Sequence, residues 1–436
     1  MIFVYNFLQI ILLIITLPIL LLVIFCKKKY RGRVLQRLGF GVHKLFKNHP
    51  AAGQKVIWVH ALSVGEVTSA IPLLKGLRME MDDITVVFSA STKTGVAVAE
   101  KNIRPFADFI ISAPLDLLFS VNRFIQYIRP DLFILIETDF WPNWLNRLNK
   151  YKVPMMLANG RISKQSFTTY HRFRFFFTPL FSSFSLLSMQ TDQDAAQMSQ
   201  LGVAAEKIAA LGNLKYDTAP VAEDDKATMQ KSDLMLPDDC IIWLCGSTHR
   251  GEEEIILTAF SQVKKVYEKL VLIIAPRDPG RTSEITDLAD TMKLVADRRT
   301  TQDNPDASIL ILDTIGELTR CYKLAKIAFI GGSLVPSGGH NPLEAAVYGV
   351  PVLFGPHMDD FQEIAFDCMH YNAGIEVHSV EEITVALHQL LQDDAMHARM
   401  SKSAMKLIRD KSGVVSRHVN KIRKLLAETE PAKSRE

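Results

Sequence analysis

Short runs of β-branched and apolar residues alternate with helical stretches along this chain, stop at a polar interlude, and then begin again. Ahead of the interlude the runs are "KVIWVHA", "ITVVFSA", "DFIISAP", "DLFILIET", "VPMMLANG" and "LLSMQ". After it come "IIWLCGS", "KLVLIIAPR", "SILILD", "KIAFIGGS" and "PVLFGP". Near-continuous apolar strands separated by helices predict a parallel sheet covered on both faces. Two such sets predict two α/β domains, which a chain of 436 residues is also long enough to need. The interlude, "DTAPVAEDDKATMQKSDLMLPDD", is polar, acidic and Pro-containing, as a linker or surface hairpin should be. The expected organisation is an amino-terminal segment 1–26, a first domain 27–216, a linker 217–239, a second domain 240–427 with charged amphipathic helices at its end, and a tail 428–436.

The amino-terminal segment, "IFVYNFLQIILLIITLPILLLVIF", carries no charge. As a helix its 24 residues reach about 36 Å, enough to cross the hydrocarbon core of a bilayer. No basic stretch precedes it and no small-residue cleavage site follows it, so it reads as an uncleaved transmembrane anchor, with Pro18 as a point of kinking. Directly after it stand Lys27, Lys28, Lys29, Arg31, Arg33 and Arg37. The positive-inside rule puts that side in the cytoplasm, and the same cluster suits anionic lipid headgroups. The expected location is therefore a membrane, with the globular domains on its cytoplasmic side.

A net charge of only +3 over this length argues against a general nucleic-acid binder. The five cysteines, Cys26, Cys240, Cys245, Cys321 and Cys368, are odd in number and show no metal-ligand or Cys-x-x-Cys spacing, which fits a reducing compartment.

Open parallel sheets bind ligands outside the carboxyl ends of their strands, so the residues at those ends carry the functional reading. In the second domain "CGSTHRGEEE" puts Gly246, Ser247, Thr248 and His249 at a strand end just before a helix, where backbone N–H groups favour a phosphate; small residues also end many strands as simple turns. "IIAPRDPGR" sets Arg277 at the next strand end, able to neutralise a phosphate or merely to cap a loop. "IGGSLVPSGGHNPLEAAVYGVPVLFGP" is more specific. It opens through Gly331, Gly332 and Ser333, continues through Gly338, Gly339, His340 and Asn341, and enters a helix with Pro342 in its first turn. Paired glycines let backbone approach a ligand, the new helix offers a second anion site, and Glu344 can accept two ribose hydroxyl protons.

In the first domain "HALSVGEV" places Glu66 near the start of a helix, where it either complements the dipole or, if burial raises its pKa, serves as a general base. Glu137 in "IETDFWPN" is a second acid on that rim, for proton transfer or for orienting a substrate. Beyond it "NGRISKQSFTTYHRFRFFFTPLF" mixes Arg161, Lys164, Arg172 and Arg174 with Phe167, Tyr170, Phe173, Phe175, Phe176 and Phe177. That mixture suits phosphate headgroups over apolar chains, or the phenylalanines are helix core; the expected anchor favours a lipid-facing patch.

Taken in order, "RLG" at Arg37 to Gly39, "HALSVGEV", "ETDFWPN", "NGRIS", "GNLKYD", "GSTHRGEE", "APR" and "SLVPSGGHNPLEAA" resemble the 3-deoxy-D-manno-octulosonic acid (Kdo) transferases of Gram-negative bacteria, over nearly the whole chain. The resemblance implies a fold of GT-B type, two Rossmann-like domains facing a cleft, and an inverting, metal-independent transfer from CMP-Kdo to lipid IVA. It implies no cofactor, CMP-Kdo being a substrate. By motif, Glu66 would be the base that deprotonates the acceptor hydroxyl, with Glu137 beside it. Arg277 and the rims containing Gly246, Ser247, His249, Gly332, Ser333, Gly338, Gly339 and His340 would hold the CMP phosphate. Asn341 and Glu344 would hold the nucleoside, and Lys215 matches a family lysine near the donor. Arg161, Ser163, Lys164 and Arg172 would line the acceptor side. The chain departs from the family's "PRHPER" with Asp278 and Gly280 in "PRDPGR", an added negative charge that should weaken phosphate binding unless it points away. It also has "NPLEAA" for "NPLEPA".

Three other readings share part of this pattern. A membrane-anchored UDP-sugar transferase acting on another lipid is separated by its choice of donor. A soluble sugar-nucleotide epimerase has no use for an anchor. A non-enzymatic lipid-binding protein leaves Glu66 and the second rim idle.

Overall fold

The computed structural model describes residues 2–26, 28–46, 54–217, 229–301, 304 and 306–428. It divides into two compact units, Met1–Thr218 with Gly413–Glu436, and Ala219–Ser412. Most of the expected linker, 218–228, and the tail from 429 lie outside the described residues.

The first unit is built on seven parallel strands: β1 (Lys55–Ala61), β2 (Ile84–Ala90), β3 (Phe109–Ser112), β4 (Leu132–Ile136), β5 (Met155–Gly160), β6 (Leu186–Met189) and β7 (Ile208–Ala210). Their order is β3-β2-β1-β4-β5-β6-β7. β2, β4 and β5 are buried along their full length and β1 at every residue but the first, which is why their sequences are apolar on both faces rather than alternating. At the centre, Trp58 on β1 lies 4.8 Å from the Trp144 ring and 5.3 Å from Phe133, and its indole N–H donates to the Ser89 hydroxyl. A buried tryptophan thus keeps its one polar atom satisfied.

The second unit repeats the plan with β8 (Ile241–Thr248), β9 (Leu270–Pro276), β10 (Ala296–Arg298), β11 (Ile309–Ile311), β12 (Ile327–Ile330), β13 (Val352–Phe354) and β14 (Gly374–Glu376), in the order β10-β11-β9-β8-β12-β13-β14. All eleven strands expected from the sequence form; the three that it did not mark, β7, β10 and β14, each close one edge of a sheet.

Two features differ from expectation. The carboxyl-terminal helix Val414–Ala427, assigned by sequence to the second domain, belongs to the first unit. Asp217 accepts from the amides of Gly413 and Val415 at its start, and His418 within it bonds the Ser188 hydroxyl on β6 at 2.8 Å. The amino-terminal stretch does form a helix, Ile2–Cys26. Its role as a single membrane-spanning anchor finds no support: among the described residues no helix is long and apolar enough to cross a membrane. Polar side chains in its first turns instead hydrogen-bond to the first unit.

Candidate active site

In each sheet the strand order reverses beside the first strand of its unit, and at such a switch point neighbouring connections leave in opposite directions and open a crevice. In the first unit the point lies between β1 and β4, and in the second between β8 and β12. Glu66 and Glu137 follow the first pair, and Gly246 to His249 and the loop from Gly332 to Glu344 lie at the ends of the second; Arg277 follows β9, Lys215 follows β7, and Arg161, Ser163, Lys164 and Arg172 follow β5.

After β1 the chain turns through Leu62 and Ser63, and Ser63 caps the helix Val64–Glu80 by accepting from the Glu66 amide. Glu66 is therefore in the first helical turn. It folds back so that its Oε2 accepts the Leu62 N–H at 2.5 Å, and it is only 7% exposed. Dipole complementation alone would hold this carboxyl low. Burial instead pushes it up to about 8, against the Leu62 hydrogen bond, and the negative charges of Glu137 and Asp139 add to the rise. Burial therefore outweighs any lowering by the helix dipole at Glu66.

Glu137, immediately after β4, has a φ of 63°, and Asn159 near the end of β5 has a φ of 61°. Left-handed backbone at residues other than glycine is strained, and such strain concentrates at functional sites. The Asn159 side chain donates to Glu137 Oε1 at 3.3 Å and accepts from the Leu214 amide at 2.9 Å. Gln190 donates to the Asn159 carbonyl and accepts from Asn213, whose own side-chain oxygen takes the Lys215 N–H. One polar chain thus ties "IETD", "NGR" and "GNLK" together, and it brings the Lys215 backbone to the first rim.

Sequence reasoning missed His60 and Asp139. His60 is fully buried on β1; its Nε2 lies 3.0 Å from Asp139 Oδ2, and its Nδ1 lies 2.9 Å from the Ser89 hydroxyl. The available signal was a lone imidazole in an otherwise apolar strand. Arg33, which the sequence marks only as part of the basic cluster, donates its guanidinium to the Ser91 carbonyl, and Arg37 of the "RLG" motif donates to the Ala113 carbonyl.

The proposed acceptor residues Arg161, Ser163, Lys164 and Arg172 are exposed. Ser163 caps the helix Lys164–Arg172, which buries no residue. The aromatics beside them divide. Phe167, Tyr170 and Phe177 pack against the first unit's core, whereas Phe173 and Phe175 are 44% and 65% exposed, with the Arg172 guanidinium 5.7 Å from the Phe173 ring. The core reading therefore holds for Phe167, Tyr170 and Phe177, while Phe173 and Phe175 remain at the surface.

In the second unit Gly246 and Ser247 lie in the last residues of β8, where a Cβ on Gly246 would lie 2.0 Å from the Tyr322 hydroxyl and Ser247 adopts a φ of 58°. The loop after β12 is held by a residue the sequence reading passed over. Glu252 is fully buried, and its carboxylate accepts the amides of His249, Gly332, Ser333 and Leu334 at 2.7 to 2.9 Å. Four N–H donors from two loops on one carboxylate fix both loops to each other. Above them His249 and His340 stack, with their Nε2 atoms 3.0 Å apart. Burial, Arg277 and His249 press His340 down to about 4, so its imidazole stays neutral at physiological pH. Burial raises the Glu344 carboxyl, and Arg277 opposes that rise. Arg277 thus acts electrostatically on both His340 and Glu344, which brings together three of the expected donor-side residues.

Gly338 and Gly339 both have positive φ, and a Cβ on either would meet Asp360 or Met358 within 2.7 Å. Asn341 caps locally by accepting the Leu343 amide. The helix that follows is one turn, Leu343–Ala346, and too short to provide the second anion site expected of it. Asp278 points into its own turn, where it accepts the Gly280 amide, and Arg281 pairs with Glu253. Among the described residues no group of three or more His, Cys, Asp or Glu side chains is placed to hold a metal ion.

Residues 32–218 match the family model described as 3-deoxy-D-manno-octulosonic-acid transferase (kdotransferase). A 3-deoxy-D-manno-octulosonic acid transferase of Haemophilus influenzae is 33% identical over 89% of this chain and 90% of that protein. In fold, the chain is similar to the UDP-GlcNAc 2-epimerase of Neisseria meningitidis bound to UDP-GlcNAc, with a TM-score of 0.60 and 14% identity over 85% of this chain and all of that one. It is also similar to a glycosyltransferase of Rickettsia africae, with a TM-score of 0.56 and 12% identity over 87% of this chain and all of that one.

Proposed function

This chain belongs to the Kdo transferase family of glycosyltransferases, and from that premise we propose that it moves Kdo from CMP-Kdo to lipid IVA with inversion, using Glu66 as the general base. The observation that carries this reading is the Glu66 carboxyl, buried at the switch point of the first sheet with its pKa raised to about 8.

In the proposed reaction the Glu66 carboxylate takes the proton of the primary hydroxyl on the distal glucosamine of the acceptor. The oxygen's electron pair forms the new bond to the anomeric carbon of Kdo, and the bond to CMP breaks with its pair going to the phosphate. Charge builds on that phosphate as it leaves, so fixed donors and a cation at its position lower the barrier. Arg277, the amides around Gly246, Ser247, Gly332, Ser333, Gly338 and Gly339, and the His249–His340 pair supply them. Glu344 and Asn341 hold the nucleoside, and Lys215 attends the donor. On the acceptor side, Arg161, Ser163, Lys164 and Arg172 meet the acceptor's phosphates beside the exposed Phe173 and Phe175. Glu137 raises the basicity of Glu66 by its charge and orients the acceptor hydroxyl. The reaction needs no metal. It takes place at the cytoplasmic surface of an inner membrane, where a lipid acceptor is presented.

The test incubates the full chain with CMP-Kdo and lipid IVA, with and without a chelator, and weighs the lipid by mass spectrometry. A gain of one or more Kdo units that survives the chelator is expected. No gain from protein that binds CMP would overturn the donor and acceptor assignment.

A further inference from the structure

His60 puts an imidazole where the fold asks for an aliphatic side chain. The strand β1 is buried at every residue but the first, and His60 is fully buried within it. Desolvating an imidazole costs free energy unless both ring nitrogens find partners, and an apolar residue would fill the space without that cost. Both nitrogens do find partners, one on each side of β1. Towards β2, Nδ1 lies 3.0 Å from the Ser89 carbonyl and 2.9 Å from the Ser89 hydroxyl, which also accepts the Trp58 indole N–H. Towards the segment after β4, Nε2 lies 3.0 Å from Asp139 Oδ2, and the Ser91 hydroxyl is 3.4 Å away. The Trp144 ring, centred 4.5 Å from the imidazole, covers it. The ring is thus held in one orientation, and that orientation brings Nε2 across the switch point to a carboxylate 79 residues along the chain.

The Asp139 side chain is 8% exposed, and its negative charge acts on Glu66, on Asp116 and on Arg37. The charged groups that act on Glu66 are Glu137 and Asp139, and both favour its protonated form. Their own partners differ. Glu137 accepts from the neutral Asn159 amide at 3.3 Å, whereas Asp139 meets an imidazole. A donor on a carboxylate offsets part of its charge, so the His60 contact bears on what Glu66 feels. The helix Val64–Glu80 also packs against Lys93–Asn102, Leu214–Asp217 and Val414–Ala427. Their charged groups, among them Lys93, Lys215, Asp217, Arg417 and His418, are the same in every variant compared below and cancel from the comparison.

We propose that His60 is a positioning residue of the first rim, fixing the Asp139 carboxylate across the switch point and offsetting part of the charge that Asp139 presents to Glu66. The role rests on the reading of Glu66 as the base. A base must be strong enough to take a proton and still be ionised at the working pH. Asp139 serves the first need by its charge, and His60 serves the second by limiting that charge.

The test follows Glu66 itself in the full chain, by nuclear magnetic resonance of glutamate labelled at the side-chain carboxyl carbon, with the Glu66 signal identified by its loss in Glu66→Gln. Its titration midpoint is compared in His60→Phe, which keeps a flat ring without a donor, in His60→Gln, which keeps a donor, in Asp139→Asn, and in His60→Phe combined with Asp139→Asn. Expected are a higher midpoint in His60→Phe, recovery towards the original value in His60→Gln, and a lower midpoint in Asp139→Asn. The combined variant should match Asp139→Asn, since no carboxylate is left to offset. A midpoint unmoved by His60→Phe or by Asp139→Asn would overturn the proposal and leave His60 a structural residue. Equal shifts from His60→Phe with and without Asp139 would overturn its action through that carboxylate. The kcat profile against pH, with CMP-Kdo and lipid IVA, checks the base separately. A profile that departs from the Glu66 titration would overturn Glu66 as the base, and the role of His60 with it, even where the titrations behave as expected.

Discussion

Glu66 and Glu252 are both buried acids at switch points, and their hydrogen-bond partners separate their roles. Glu66 has one backbone amide and two acidic neighbours, so it keeps its proton to about pH 8. A base must be ionised to act, so turnover should rise with pH through a midpoint near 8. Glu137→Gln removes one of the two like charges and should move that midpoint to lower pH, by less than burial contributes; a kcat profile against pH measures it. Glu66→Gln should lower kcat by about 10²–10⁴-fold. It should not lower the thermal midpoint at pH 9: the raised pKa means that ionising Glu66 costs the folded state, and the amide removes that cost. Glu252 instead offers one carboxylate to four amides. Glu252→Gln turns an acceptor into a donor facing N–H groups, and should cost about 1–3 kcal/mol in denaturant unfolding along with CMP affinity. Unchanged CMP affinity would remove Glu252 from its positioning role.

At the scale of elements, the glycines of the second rim are there because other elements press against them. A Cβ on Gly246 would overlap the Tyr322 hydroxyl, so Gly246→Ala should destabilise by roughly 1–3 kcal/mol, and adding Tyr322→Phe should recover part of it; chemical denaturation of the two variants checks the coupling. The strands legible in the sequence are the interior ones, whose burial on both faces forces continuous apolar runs. β7, β10 and β14 were illegible because a three-residue edge strand such as "ADR" or "GIE" needs no such run. Glu66 was legible as a candidate because it follows a buried strand and a capping serine. His60 was not, because an isolated histidine in an apolar strand carries no local mark of the Asp139 carboxylate that meets it from 79 residues away.

At the scale of the molecule, the chain leaves the first unit, completes the second, and returns with the helix Val414–Ala427. Truncation after Ser412 should therefore lower the unfolding midpoint of the first unit and leave CMP binding by the second, as calorimetry with and without CMP would report. His418 within that helix is buried and held down to about 4. A histidine depressed in the folded state favours unfolding as pH falls below its unfolded value of about 6.5. The first unit should thus lose up to about 1.4 kcal/mol per pH unit between roughly 6.5 and 4 from this group. By itself the sequence determined two parallel α/β units, the strand ends that carry their chemistry, the apolar character of the amino-terminal helix and the family of the chain, because periodicity and motif spacing are local properties. Only the tertiary structure decided which acid is buried, which carboxylate ties two loops together, which unit owns the last helix, and that the polar side chains of the first helix meet Asp116 and Asn143. Each of these depends on groups far apart in sequence meeting in space, and no local pattern encodes such a meeting.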